Sequence, residues 1–254
     1  MSAPPPVGTS AAPLRDPVRT YAGRQGRLSA LTLDRLARFG PHRLVPSGPV
    51  VPLDLFGRDA PLVLEVGCGH GAAAIAYAAG HPAHGVLAVD VHVPGIARML
   101  AAAETAGVPN LRADIGDAVT LLTERVPSAS LAAVHLFFPD PWPKRGHVKR
   151  RFVRADVLDL LADRLVADGH VLVATDQPAY VDHVRGEAAS HGGFVVRETT
   201  RPTWRPVDGF ERKALEAGRT VTDLRLDRRR GGAHGARDVR GGGEGERATR
   251  IELA

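Results

Sequence analysis

From residue 62 onward, short apolar runs rich in Val, Leu, Ala and Phe alternate with longer stretches whose apolar positions recur every three or four residues. The short runs, at 62–66, 86–90, 111–114, 131–138, 170–175, 194–198 and 220–226, predict seven strands. The longer stretches, at 71–79, 94–106, 117–124, 154–167 and 178–190, predict helices. Strand–helix alternation of this kind calls for an α/β fold with a doubly wound, mostly parallel sheet. Only a loop is expected between the last two strands, which makes the final strand antiparallel.

The ends of the chain lack this pattern. Residues 1–20 are rich in Pro, Ala and Ser and are expected to form a disordered tail; residues 229–254, rich in Gly and Arg, are expected to be flexible. A single domain over 21–228 remains, with 21–60 as a basic extension.

Composition narrows the class. At 254 residues and 44% hydrophobic content the chain can bury a sizeable core. Cys68 is the sole cysteine, so no disulfide framework exists. Residues 66–89 carry no Asp, Glu, Lys or Arg, yet five glycines, three histidines and Pro82 make a lipid-facing helix untenable there. The N-terminus has no apolar signal-peptide core, so a cytoplasmic protein without a membrane partner is expected. Nothing in the pattern selects an oligomeric state.

The net charge of +5 is unevenly spread. Residues 1–60 carry eight Arg against four acids, and residues 225–254 eight Arg against five, which leaves the body slightly acidic. One basic block interrupts that body: Lys144, Arg145, His147, Lys149, Arg150 and Arg151, with no acid between Pro141 and Ala155. Such a block is either a solvated face or a track for a phosphate backbone.

In doubly wound sheets ligands sit beyond the carboxyl ends of the strands, so the residues there carry the chemistry. The first strand ends Glu65-Val-Gly67-Cys-Gly69-His-Gly71. Its G-x-G-x-G spacing differs from the dinucleotide fingerprint, and Glu65 would repel a pyrophosphate. A carboxylate there suits a cationic ligand such as S-adenosylmethionine; the alternative is a tight strand–helix turn. Asp90 closes the second strand, where an acid accepts ribose hydroxyls, or else marks a helix N-terminus. Asp117 follows the third strand as an adenine-side residue or an N-cap, with Asp114 as competitor. The fourth strand runs into Pro139-Asp140-Pro141-Trp142-Pro143-Lys144, whose prolines stiffen a loop able to hold a base at Asp140. Asp176 ends the fifth strand.

These motifs, with His147-Val-Lys-Arg-Arg151, Arg205-Pro-Val-Asp-Gly-Phe-Glu211, Arg19-Thr-Tyr-Ala-Gly-Arg-Gln-Gly-Arg27 and Gly218-Arg-Thr-Val-Thr-Asp-Leu224, resemble the bacterial tRNA (guanine-N7-)-methyltransferases from about residue 18 to 228. The resemblance implies a Rossmann-like methyltransferase fold and methyl transfer from S-adenosylmethionine to N7 of a guanine in the tRNA variable loop. It implies cofactor contacts at Glu65, Asp90, Asp117 and Asp140, with the glycine turn Gly67, Gly69 and Gly71, and a catalytic role for Asp140. It places substrate binding at Lys144, Asp176 and the segment Asp208, Gly209, Phe210 and Glu211. That segment departs from the family pattern, because Asp208 and Gly209 stand where a threonine and a basic residue are usual. Asp90 replaces the commoner glutamate.

Guanine N7 carries an in-plane lone pair, so alignment rather than proton removal is the expected task. No metal site is expected, since His70, His81 and His84 lack ligand spacing with other donors, and Cys68 is expected to be a small residue of the glycine turn. Phosphate contacts are expected from Arg24, Arg27, Arg145, Lys149, Arg150 and Arg151, beside Lys144. Two other readings fit part of the pattern: an amino-group methyltransferase, because Asp140-Pro141-Trp142 is close to an amine-binding loop, and a catalytically impaired tRNA-binding homologue.

Overall fold

A computed structural model describes residues 26–229; the expected tail at 1–20, all but Arg229 of the expected tail at 229–254, and Arg24 lie outside the described residues. Seven strands form one sheet: β1 (Leu62–Val66), β2 (Gly85–Asp90), β3 (Leu111–Ile115), β4 (Leu131–Phe137), β5 (Leu165–Thr175), β6 (Phe194–Thr199) and β7 (Thr222–Arg228). Their order is β3-β2-β1-β4-β5-β7-β6. All pairings are parallel except those of β7, which runs antiparallel to both β5 and β6. β1 is buried at every position, as a central strand covered on both faces must be.

Alternate residues of β1 feed two cores. Leu62, Leu64 and Val66 pack with α5 (Ala118–Glu124), α6 (Ala155–Arg164) and α7 (Pro178–His191) through Leu121, Leu158 and Val184. Val63 faces α3 (Ala72–Gly80) and α4 (Val93–Thr105), among Ala74, Ile96 and Leu100. Burying each such leucine or isoleucine contributes about 1.5–3 kcal/mol, which fixes the strand registers on which the site depends. The strand order reverses between β1 and β4, and a cleft opens there beyond their carboxyl ends.

Three regions differ from the expectation. α6 stops at Arg164, and β5 begins at Leu165, although apolar residues continue the helical period to Ala167. Residues 166–169 bulge out of the ladder, since Leu131 pairs with Leu165 but Ala133 with His170. The connection between β6 and β7 is not a bare loop but carries α8 (Gly209–Glu216). The basic extension folds in part as α1 (Ala30–Arg43), capped by Ser29, and as the short α2 (Pro52–Phe56). α1 lies against α4, where Arg43 is buried and joins Glu104 at 2.7 Å.

Candidate active site

The turn after β1 is held by the end of β2. Gly69 N–H donates to Asp90 Oδ2 at 2.7 Å, His92 N–H donates to Oδ1 at 2.8 Å, and Gly67 N–H donates to the Val89 carbonyl at 2.9 Å. Asp90 therefore shapes the glycine turn, and each carboxylate oxygen keeps a lone pair for a further donor. Gly71 has φ of 75°, and a Cβ there would lie 2.1 Å from Met99 Cγ. Only glycine lets α3 start this close to α4.

This turn forms one wall of a cavity of about 850 Å³, lined also by Glu65, Asp117, Phe138, Asp140 and Asp208. Glu65 is 3% exposed, and its Oε2 has no hydrogen-bond partner among the described residues. Burial, then the neighbouring charge of Asp208, pushes its carboxyl up to about 8, against a backbone donor at Ala74 and the charge of Arg205. A buried carboxyl with an unused oxygen fits a cationic group. Asp117 caps α5, its Oδ1 accepting from Val119 and Thr120 N–H at 3.0 Å, so its structural role holds whether or not it also meets a ligand. Cys68 lines the cavity as a protonated thiol, because burial pushes it well above its ordinary value.

The proline loop after β4 is strained and braced. Phe138 and Trp142 adopt φ of 49° and 40°, left-handed values that a bulky residue keeps only when its surroundings impose them. Phe138 N–H donates to the Ala174 carbonyl at 2.8 Å, and Arg151 Nε to the Pro141 carbonyl at 2.9 Å. The Arg150 guanidinium lies 4.4 Å from the Trp142 ring centre. Asp140, between these anchors, is exposed at the cavity and accepts no hydrogen bond from the described residues. The cavity walls, then Asp90, raise its carboxyl above the ordinary range.

The remaining wall comes from the segment before β7. Buried Arg205 grips Asp223 with two hydrogen bonds, at 2.5 and 3.1 Å, and tilts over the rings of Phe137 and Phe138. Buried Glu211 joins Arg201 at 2.6 Å. Between them Asp208 caps α8, its Oδ1 accepting from Phe210 and Glu211 N–H. Phe210 stands 65% exposed at the cavity edge, an unusual position for a large apolar ring.

Comparison with known proteins places this arrangement. Residues 59–224 match the family model described as "Putative methyltransferase". Curated relatives named tRNA (guanine-N(7)-)-methyltransferase include one from Halorhodospira halophila, 41% identical over 81% of this chain and 93% of its own length. Another, from Sodalis glossinidius, is 39% identical over 82% of this chain and 90% of its own. A third, from Streptomyces avermitilis, is 39% identical over 82% of this chain and 74% of its own. The chain belongs to the tRNA (guanine-N(7)-)-methyltransferase family.

In this family member the cavity gathers Glu65, Gly67, Gly69, Asp90, Asp117, Asp140, Asp208, Gly209 and Phe210. Gly71 and Glu211 stand behind the wall as packing and ion-pair residues. Lys144 is exposed and does not line the cavity, and Asp176 is paired with Arg219 at 2.6 Å. Of the expected phosphate contacts, Arg27, Arg145 and Lys149 are exposed and Arg150 is half-buried. Arg151 is a correction: it is 7% exposed, with Nη1 reaching the Ala179 carbonyl and Nε the Pro141 carbonyl, so it braces the loop rather than meeting phosphate. Asp90, standing for a glutamate, still reaches the Gly69 amide, so the shorter side chain serves this turn.

Sequence reasoning missed Phe138, His92 and Arg205. Phe138 read as the last residue of the fourth strand, while Arg205 opened a recognised motif without a role of its own, because its partner Asp223 lies eighteen residues on. Among the described residues no group of three or more His, Cys, Asp or Glu could hold a metal ion, and no helix is long and apolar enough to cross a membrane.

Proposed function

We propose that this protein methylates N7 of a guanine in the tRNA variable loop, with S-adenosylmethionine as methyl donor, as a cytoplasmic enzyme. The observation that carries the reading is the cavity at the β1–β4 switch point, where the buried, unpartnered Glu65 oxygen and Asp90 meet the rigid loop bearing Asp140. The donor set fits the cofactor: Glu65 would suit a cationic amino-acid end, Asp90 would accept hydroxyl donors as a ribose presents them, and Asp117, which also lines the cavity, would meet the adenine. When bound, S-adenosylmethionine supplies an electrophilic methyl group on its sulfonium.

The residues of the chain supply alignment. N7 attacks through a lone pair already in the plane of the ring, so no side chain needs to remove a proton. Asp140 accepts from the guanine ring N–H and amino group and offsets the positive charge that the ring gains on methylation. Its rigidity matters, because the strained Phe138 and Trp142 backbone and the Arg151 brace fix the carboxylate without cost at the moment of reaction. Phe210 offers a face on which an unstacked base can lie. The exposed Lys144, Arg145 and Lys149 carry the phosphate backbone.

Incubation with unmodified tRNA and S-adenosylmethionine, followed by nucleoside mass spectrometry, tests the reading. It expects 7-methylguanosine; a methylated exocyclic amine or no methylation overturns it.

A further inference from the structure

A basic residue is usual at position 209 of the family pattern, and this chain has Gly209 there. Gly209 opens α8 at the cavity wall. A Cβ added to it would meet no atom within 4 Å, so the space beside the helix start is open.

Arg212 lies three residues on, one helical turn away and on the same face. Helical side chains lean back toward the start of their helix, and Arg212 does so. Its Nη2 reaches the Val207 carbonyl at 3.5 Å, the outer limit of a hydrogen bond. The guanidinium therefore lies beside the first residues of α8, the stretch from which a longer side chain at 209 would project. Arg212 lines the cavity, is exposed, and pairs with no carboxylate among the described residues. Arg201, Arg205 and Arg219 of the same segment are each held by an acid. Lys213 adds a second exposed cation to the same wall.

The cavity is thus divided by charge, with Glu65, Asp90 and Asp140 at strand ends and the free cations on α8. An arginine with no acid to hold it takes an anion in its planar fork. The cofactor offers one anion, the carboxylate of its amino-acid end. That carboxylate shares a carbon with the ammonium that Glu65 would hold, and Glu65 is 3% exposed. The exposed guanidinium suits an anion that arrives from solvent, and RNA brings one with every nucleotide.

We propose that Arg212 is a substrate-binding residue, holding an RNA phosphate next to the target guanine in place of the basic side chain absent at 209. The inference rests on the tRNA reading given under Proposed function. It gives α8 two tasks: Phe210 faces the base, and Arg212 faces the backbone that carries it. The position of the cation has moved one turn along the helix, while its charge stays at the cavity.

The test uses the full chain and unmodified tRNA. Arg212→Gln is expected to weaken tRNA binding about tenfold and to lower the slope of log K against log salt by nearly one. Affinity for S-adenosylhomocysteine should stay within about twofold, and the melting temperature should hold. Arg212→Lys keeps the charge and should keep most of the slope. The double variant Gly209→Lys with Arg212→Gln returns a cation to the usual position, where φ lies outside the left-handed region and accepts a side chain. It should recover most of the lost affinity and slope, which a merely structural role for Arg212 would not allow. Unchanged tRNA affinity and slope in Arg212→Gln overturn the inference, as does a double variant that recovers neither. A loss of S-adenosylhomocysteine affinity with tRNA binding intact assigns Arg212 to the cofactor carboxylate and overturns it as well. A wild type that binds tRNA but forms no 7-methylguanosine overturns the activity reading alone, since the binding measurements do not depend on methyl transfer. A wild type that does not bind tRNA overturns both.

Discussion

Arg151 Nε donates to the Pro141 carbonyl at 2.9 Å and ties the basic segment to the loop that presents Asp140. The bond turns a residue that looks like part of a phosphate track into a brace for that loop. Arg151→Ala is expected to lower methyl transfer about 10-fold to 100-fold, because a misplaced carboxylate loses alignment. The salt dependence of tRNA binding should not change. A salt slope that falls as steeply as for an exposed arginine would return Arg151 to the phosphate track.

Lys144, Arg145 and Lys149 should behave in the opposite way. They are exposed on and beside the 3-10 turn Arg145–Arg150, where a backbone could lie. Replacing each by alanine should weaken tRNA binding and reduce the slope of log K against log salt by nearly one for each phosphate no longer neutralised. Cofactor affinity should stay level. Filter binding across a salt series reads both quantities.

Asp140→Asn keeps the size of the side chain and removes its charge. Methyl transfer should drop by about 100-fold or more, the scale seen when a single group facing developing charge is lost. Because Asp140 has no hydrogen-bond partner among the described residues and its buried neighbours are untouched, the melting temperature should hold or rise slightly. Near-normal turnover would move the catalytic role elsewhere.

Stability of the ligand-free chain should peak near pH 6.5. Glu65 titrates at about 8 in the fold and about 4.5 unfolded, so its contribution falls as pH rises between those values. His135 is pushed down to about 3 and His170 to about 4, chiefly by burial, against 6.5 unfolded. Their contributions are complete above 6.5 and fall as pH drops toward those folded values. Below 6.5 two histidines outweigh one glutamate; above it Glu65 acts against them alone. Thermal melts of Glu65→Gln should lose the decline between pH 6.5 and 8 and keep the acid limb. An undiminished alkaline decline would exclude Glu65 as its source.

The strand-end carboxylates were readable in the sequence because a period-2 or fully apolar run ends visibly at a charge. Glu65, Asp90 and Asp140 lie in the cavity for that reason. α8 was hidden, since it opens on Gly209 and presents few apolar positions; its stability comes from the Asp208 cap and from Glu211 reaching Arg201. α1 contains Gly40 and Pro41 near its end, residues that ordinarily argue against a helix. The roles of Arg151 and Arg205 depend on partners ten and eighteen residues away. No local pattern separates them from solvent-facing arginines.

The direction of β7 has a temporal consequence. An antiparallel strand enters the sheet at the rim where its parallel neighbours leave it, so the stretch from 200 to 221 is suspended between two strands over the cavity. Arg205, which anchors that stretch, finds Asp223 only once β7 has docked. During synthesis the sheet from β1 to β5 can form while the binding chamber still lacks a side. A nascent chain thus stays unable to enclose a ligand until close to residue 228 has emerged from the ribosome, and competence arrives with the last strand.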